Sequence, residues 1–253
     1  MVMHISGDRL EPVAGVSVCK VCHGEAPLYG VVDFNKNCEE RRGGFLPQSG
    51  IPIYYHRCDR CGLIFTRAFD RWQKSAYLKH IYNEHYEVVD PDYVDARATA
   101  NAVMVADFIA KGNALRCLDY GGGNGTLSGL LRGRDLDAHS WDPMAEDATE
   151  PPLGSFDLVT AFEVLEHTPE PLATVEQALG ALRQRGVMLF STMTMDDLPP
   201  RAMDHWYIAP RNGHITIHTA PSLQTLFATF GYRVHHFNKN LHLALRETPD
   251  WLS

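Results

Sequence analysis

The chain has no run of eighteen apolar residues, so no helix spanning a membrane is expected. It has no surplus of positive charge either. Its 23 Lys and Arg stand against 31 Asp and Glu, a formal −8, which argues against a dedicated nucleic-acid binder. The start, Met1-Val-Met-His-Ile-Ser-Gly-Asp, lacks a charged-then-apolar secretion signal, and a cytoplasmic enzyme is the expectation. The six cysteines are not spread as a disulfide framework would be. No lysine follows the one conspicuous glycine run, so the phosphate-gripping P-loop is absent.

That glycine run is the most informative feature present. It lies in Arg116-Cys-Leu-Asp-Tyr-Gly-Gly-Gly-Asn-Gly-Thr126. A short apolar strand over 114–118 leads into Asp119 and four glycines, and a helical segment over 126–131 follows. Glycines at the carboxyl end of a parallel strand permit a tight turn and close backbone approach to a ligand. The alternation of Gly121, Gly123 and Gly125 departs from the dinucleotide spacing Gly-x-Gly-x-x-Gly. A carboxylate ahead of the turn suits a cationic amine better than a pyrophosphate.

This pattern resembles the first motif of class I S-adenosylmethionine-dependent methyltransferases. The resemblance places Asp119, Gly121, Gly123 and Gly125 around the amino-acid end of S-adenosylmethionine. It also places Asp142, in His139-Ser-Trp-Asp-Pro143, on the ribose hydroxyls. A carboxylate offers about four acceptor sites, enough for two hydroxyls. Residues Gly154-Ser-Phe-Asp-Leu-Val-Thr-Ala-Phe-Glu-Val-Leu-Glu-His167 resemble the family's fourth strand and following loop, with Phe162 and Glu163 beside the cofactor. The family's third strand has little room here. Thirteen residues separate Asp142 from Phe156, and Pro143, Pro151, Pro152 and Gly154 are among them. Asp147 is the nearby aspartate for the adenine. No Asn-Pro-Pro-Tyr type sequence follows the fourth strand, which argues against methylation of nucleic-acid bases.

Four cysteines form two pairs, Cys19-Lys-Val-Cys22 and Cys58-Asp-Arg-Cys61, with Gly24 and Gly62 close behind. Two such knuckles supply four sulfurs to one tetrahedral ion, which suits structural zinc with no open position for chemistry. An iron–sulfur centre, a redox dithiol and two unconnected pairs are the alternatives. Cys38 is expected to have no partner and Cys117 to be core packing.

The expected architecture is α/β: a three-layer Rossmann-like methyltransferase sandwich with a shortened third-strand region, plus a small N-terminal zinc-binding module. The expected divisions are 1–66 for the zinc-binding module, 67–95 for an aromatic-rich linker of broken helices, and 96–253 for the S-adenosylmethionine-binding domain. Residues 35–50 read as an exposed loop. Helices are expected over 96–111, 171–184 and 221–230, and strands over 138–142, 156–162, 187–192, 232–237 and 241–246.

Residues 193–220 form an unusually long connection after a central strand, where ligands bind in such sheets. They carry His205, Trp206, Tyr207, Arg211, Asn212 and His214, and read as an active-site flap over the cofactor's methyl group. His214 or His167 is expected as base, Tyr207 as part of an apolar wall, and Arg211 as a fork for a phosphate or carboxylate. The knuckles, the aromatic stretch and Gly213-His-Ile-Thr216 resemble bacterial methyltransferases with an N-terminal zinc module, among them sugar C-methyltransferases. The expected partner is a small metabolite, with a nucleotide-linked sugar in view. A protein methyltransferase docking through its zinc module, or a non-catalytic cofactor-binding scaffold, are the other readings. The sequence sets no acceptor atom and no oligomeric state.

Overall fold

The computed structural model describes residues 3–6, 9–12, 15–92, 96–109, 115–146, 148, 150–197 and 202–252. In chain order the strands and helices are β1 (Met3–Ser6), β2 (Arg9–Pro12), β3 (Ser17–Val18), β4 (Glu25–Ala26), β5 (Leu28–Asp33), β6 (Pro52–Arg57), β7 (Ile64–Thr66), α1 (Lys74–His80), α2 (Tyr86–Val89) and α3 (Ala96–Phe108). There follow β8 (Arg116–Tyr120), α4 (Thr126–Arg132), β9 (Asp137–Trp141), β10 (Phe156–Phe162), α5 (Pro171–Gly180), β11 (Leu182–Ser191), β12 (Thr216–Ile217), α6 (Ala220–Ala228), β13 (Arg233–His236) and β14 (Leu241–Leu245). Among the described residues no helix is long and apolar enough to cross a membrane.

The chain divides into two units. One comprises residues 1–83, 166–172 and 193–226, and the other 84–165, 173–192 and 227–253. The first unit holds a four-stranded antiparallel sheet in the order β12-β7-β6-β5, with the small pairs β1-β2 and β3-β4. Segment 193–226 thus contributes β12 to the sheet of the cysteine-bearing region. Aromatic residues of 67–83 pack in this unit too: Phe69 is buried and meets Trp72 at 4.6 Å and Phe34 at 6.3 Å between ring centroids. Of the stretch 35–50, residues 41–45 and 47–50 are exposed as expected, whereas 35–40 are not. A 3-10 turn, Cys38–Arg42, is capped by Asn37, and both Asn37 and Cys38 are buried.

The second unit holds a six-stranded sheet in the order β13-β14-β11-β10-β8-β9. β9, β8, β10 and β11 are parallel, and β14 and β13 close the sheet antiparallel. Strand alternation explains its two faces. Cys117, Leu158, Val187, Leu189 and Leu243 lie on one face in a core shared with Ala102 and Val105 of α3 and Leu127 and Leu131 of α4. Leu118, Val159, Met188 and Phe190 alternate with these, and Phe190 stacks on Phe227 of α6 at 4.9 Å. This is the Rossmann-like sandwich expected. Between β9 and β10 no strand forms among the described residues, so β9 is the sheet edge. Asp147 lies outside the described residues, as do 110–114.

One element differs from its sequence pattern. The helix expected to reach residue 184 ends at Gly180, and Leu182 already belongs to β11. Phe156 pairs with Leu182 but Leu158 pairs with Val187, so β11 bulges between them. Gly186 therefore serves the bulge rather than a helix stop: a Cβ there would lie 3.0 Å from the Phe156 carbonyl and 3.1 Å from that of Arg183. Leu182 falls on the helical period of Leu172, Val175, Ala178 and Leu179, which is why the pattern runs on past the break.

The core should be sensitive at its centre. Leu158 has no exposed surface, and Leu158→Ala is expected to cost about 2–5 kcal/mol. Urea denaturation measures this, and a loss well under 1 kcal/mol would mean that the site does not pack as described.

Candidate functional site

The glycine turn lies in the second unit, between β8 and α4. Gly121, Gly123 and Gly125 all have left-handed φ values, 74°, 55° and 77°, which side chains other than glycine rarely adopt. Gly121 is also sterically confined, since a Cβ there would lie 2.6 Å from Val164 Cγ2. Both Gly121 and Gly122 donate their N–H to the Trp141 carbonyl at 2.8 and 3.1 Å, which folds the turn onto the end of β9.

Three carboxylates flank this turn within the unit. Asp119, at the end of β8, is buried and accepts the Thr160 hydroxyl at 3.0 Å. Burial drives its pKa up to about 7; the Thr160 hydrogen bond opposes the shift and the charge of Asp142 adds to it. Asp142 follows β9. Its Oδ2 accepts Gly123 N–H at 2.8 Å and its Oδ1 accepts Met144 N–H at 2.7 Å. Each oxygen keeps a further lone pair. Glu163 follows β10 in a left-handed conformation, φ 55°, a strain on the order of 1–3 kcal/mol for a residue with a side chain. Ser191 holds it there: its hydroxyl accepts Glu163 N–H at 2.9 Å and donates to Glu163 Oε1 at 2.8 Å. Phe162, beside it, packs partly against the apolar core.

The first unit carries two further clusters. Cys19, Cys22, Cys58 and Cys61 come together as the spacing predicts, with Cys19 and Cys61 sulfurs 3.6 Å apart and those of Cys22 and Cys58 3.4 Å apart. Tetrahedral zinc with bonds of about 2.3 Å puts sulfurs about 3.8 Å apart, so the four residues fit one ion. Backbone N–H groups of Val21, Arg60 and Cys61 point at Cys19 and Cys58 sulfurs at 3.4 Å. The hydrogen bond with Cys61 brings the Cys19 thiol down to about 5 against the opposing effect of burial. The second knuckle turns on Gly62, φ 77°, whereas the first turns on His23, φ 57°, rather than on Gly24.

The other cluster joins Glu166, His167, Tyr207 and His214. Ile215 N–H bonds the Glu166 carbonyl at 2.9 Å, and Thr216 Oγ1 bonds the Thr168 carbonyl at 2.6 Å, so segments 166–168 and 214–216 lie side by side. The Tyr207 hydroxyl accepts Met193 N–H at 3.0 Å and donates to Glu166 Oε1 at 2.5 Å. His214 Nδ1 donates to the Tyr207 carbonyl at 2.9 Å, and Tyr55 donates its hydroxyl to the His214 carbonyl at 2.7 Å. The His167 and His214 rings meet edge to face at 4.8 Å. Gly213 permits this approach, since a Cβ there would lie 3.1 Å from His167 Nδ1.

Tyr207, His167 and His214 are thus brought together. Arg211 is buried, with its guanidinium on the Ile81 carbonyl at 3.1 Å and on Asn83 Oδ1 at 3.3 Å. Trp206 lies beneath the Arg41 guanidinium at 4.3 Å. Sequence reasoning did not single out Glu166, whose signal was its place beside His167. It also set aside Cys38, which gives its N–H to Asn212 Oδ1 at 2.9 Å and holds its sulfur 3.8 Å from His214 Nδ1.

The raised pKa of Asp119 has a measurable sign. Its favourable contribution is complete below the unfolded pKa, about 3.9, and is lost as pH rises through about 7. The stability of Asp119→Asn relative to the parent should therefore grow by on the order of 3 kcal/mol between about pH 5 and about pH 8. A pH-independent difference in urea denaturation would contradict this electrostatic account.

Comparison with known proteins bears on the same region. The profile of the methyltransferase domain family matches residues 93–237, more than half of the 253 residues. A ubiquinone biosynthesis O-methyltransferase of Neisseria meningitidis serogroup C is 26% identical over 175 residues, which cover 57% of this chain and 65% of that protein. The matching protein of Xanthomonas campestris pv. campestris (strain B100) is 42% identical over 48 residues, 19% of this chain and 20% of its own. Among solved structures, an O-methyltransferase family protein from Burkholderia thailandensis has 20% identity and a TM-score of 0.48, covering 72% of this chain and 70% of its own. With its glycine turn and acid-tipped parallel strands inside the matched span, the chain belongs to the methyltransferase domain family.

Proposed function

We propose that the chain transfers the methyl group of S-adenosylmethionine to an oxygen or carbon of a small metabolite. The observation that carries the reading is the turn at 121–125, flanked by Asp119, Asp142 and Glu163, in a domain of the methyltransferase family. Asp142 would take the ribose hydroxyls with the lone pairs left by Gly123 and Met144. Asp119, whose pKa burial raises to about 7, would carry its negative charge once an amine binds beside the turn, and Gly121, Gly123 and Gly125 let backbone come close. Phe162 and Glu163 border the same site from the end of β10. When bound, the cofactor supplies an electrophilic methyl on a sulfonium.

The chain's own residues would position the acceptor and hold its proton. The Tyr207 carbonyl fixes His214 Nδ1 as donor, which leaves Nε2 as the acceptor nitrogen. Tyr207 joins this imidazole to Glu166, and His167 packs on the His214 ring. In this reading Arg211 is a positioning residue. Its fork anchors the turn Pro210–Asn212 ahead of His214 by way of Ile81 and Asn83. The names of the sequence relatives favour an oxygen acceptor. The paired knuckles favour the sugar-modifying reading, with a nucleotide-linked sugar as acceptor. Cys19, Cys22, Cys58 and Cys61 would hold one structural zinc.

Isothermal titration should show saturable binding of S-adenosylmethionine and none of NAD; the reverse result would overturn the cofactor assignment. Gly121→Val should abolish that binding, because its side chain meets Val164 in a backbone conformation closed to it. Release of S-adenosylhomocysteine should depend on the small-molecule fraction of a cell extract. Dependence on the macromolecular fraction would instead favour a protein substrate, and no release with any fraction a scaffold.

Metal analysis of protein purified without added metal should find one zinc per chain. Cys58→Ser should lose it and lower the melting temperature. A metal content near zero with all four thiols freely titratable in the folded protein would defeat the zinc assignment.

A further inference from the structure

Glu166, His167 and His214 form a second group of metal-capable donors in the first unit, one atom from each lying within 4.8 Å of the others. We propose that these three side chains bind one divalent transition-metal ion, at a site distinct from the four cysteines. Two imidazoles and one carboxylate form the donor set of metal sites that keep open positions, and such a set suits iron, cobalt, nickel or zinc better than calcium or magnesium.

The surroundings are those a metal site requires. A ligating imidazole usually donates its second nitrogen to a carbonyl, which fixes the ring and its tautomer. His214 does this: Nδ1 donates to the Tyr207 carbonyl at 2.9 Å, which directs the Nε2 lone pair away from that bond. A ligating carboxylate is itself held by a hydrogen bond, and Glu166 Oε1 takes the Tyr207 hydroxyl at 2.5 Å. Met193 N–H occupies the acceptor side of that hydroxyl at 3.0 Å, so its proton points to Glu166. One tyrosine therefore orients two of the three ligands, through its backbone and its side chain. The backbone of the third is tied in as well, since His167 lies between Glu166 and Thr168, whose carbonyls bond Ile215 and Thr216.

Charge and distance agree. Glu166 is fully buried, and a buried carboxylate favours a cation beside it. Metal bonds of about 2.1 Å put donor atoms about 3–3.4 Å apart. Donor atoms that already lie within 4.8 Å of one another need close by no more than on the order of 1–2 Å, a movement within reach of the half-buried His167 ring. Three protein ligands leave coordination positions for water or for two adjacent oxygens of a ligand. The metal assignment rests on the donor set and not on the proposed methyl transfer; with the ion bound, His214 would be a ligand and not the proton acceptor.

The test uses full-length protein, as purified, titrated with Co2+ while its zinc content is followed. One additional equivalent should bind, with visible bands of nitrogen and oxygen ligation and no thiolate-to-cobalt charge transfer. His167→Ala and Glu166→Gln should each weaken that equivalent at least tenfold while leaving the zinc content unchanged. His167→Asn gives a second reading at the half-buried position should Glu166→Gln fold poorly. The proposal is overturned if no additional equivalent binds, if binding persists unchanged in folded His167→Ala or His167→Asn, or if the spectrum shows thiolate ligation.

Discussion

Ile215 is the residue on which the arrangement of the first unit depends. Its N–H bonds the Glu166 carbonyl at 2.9 Å and its carbonyl accepts Thr66 N–H at 3.0 Å. Two backbone hydrogen bonds thus join three stretches far apart in sequence: β7, the residues just beyond β10, and the segment leading into β12. With Ile215 fully buried, leaving either bond unmade would cost about 1–3 kcal/mol, so the pairing holds as a unit. Its consequence is chemical. The same pairing holds the preceding residue, His214, beside Glu166 and His167.

The second unit solves a different problem, which is how to keep polar groups close together at the ends of buried parallel strands. Backbone turns with left-handed residues do this at both β8 and β10. At β8 the strained positions are glycines. At β10 the position is Glu163, and the Ser191 hydroxyl offsets the strain by bonding its backbone and its carboxylate together. A side chain is retained where glycine would be easier, as expected when the carboxylate itself has a task.

Much of the second unit was legible because its signals are local. The acid, the glycines and the strand of 156–162 lie in short stretches whose chemistry follows from neighbours in sequence, and the prolines of 143–155 pointed to a shortened third-strand region, where no strand forms among the described residues. The bulge at 182–186 was not legible, because Leu182 falls on the apolar period of α5 and only the pairing with β10 breaks it. In the first unit the cysteine spacing gave the cluster directly. The burial of Arg211 against Ile81 and Asn83, and of Cys38 against Asn212, depends on contacts more than a hundred residues apart. No periodicity or motif encodes such contacts. The link from Glu166 to Tyr207 was hidden for the same reason, since Tyr207 arrives through a long irregular connection.

A four-cysteine site with no open position suggests a role remote from chemistry, but the connections in this unit argue otherwise. The Cys61 carbonyl accepts the Thr219 hydroxyl at 2.6 Å, and Thr219 Oγ1 in turn accepts Ser222 N–H at 3.1 Å at the start of α6. Gly62 lies against Thr219, so closely that a Cβ would come within 3.1 Å of it. Two residues on, β7 begins and pairs with β12, which starts two residues after His214. The second knuckle therefore holds the stretch that follows His214, directly at Thr219 and through β7 at Ile217 and Thr216. An ion bound at the cysteines would fix the knuckle and, through the β7–β12 pairing, the backbone that follows His214.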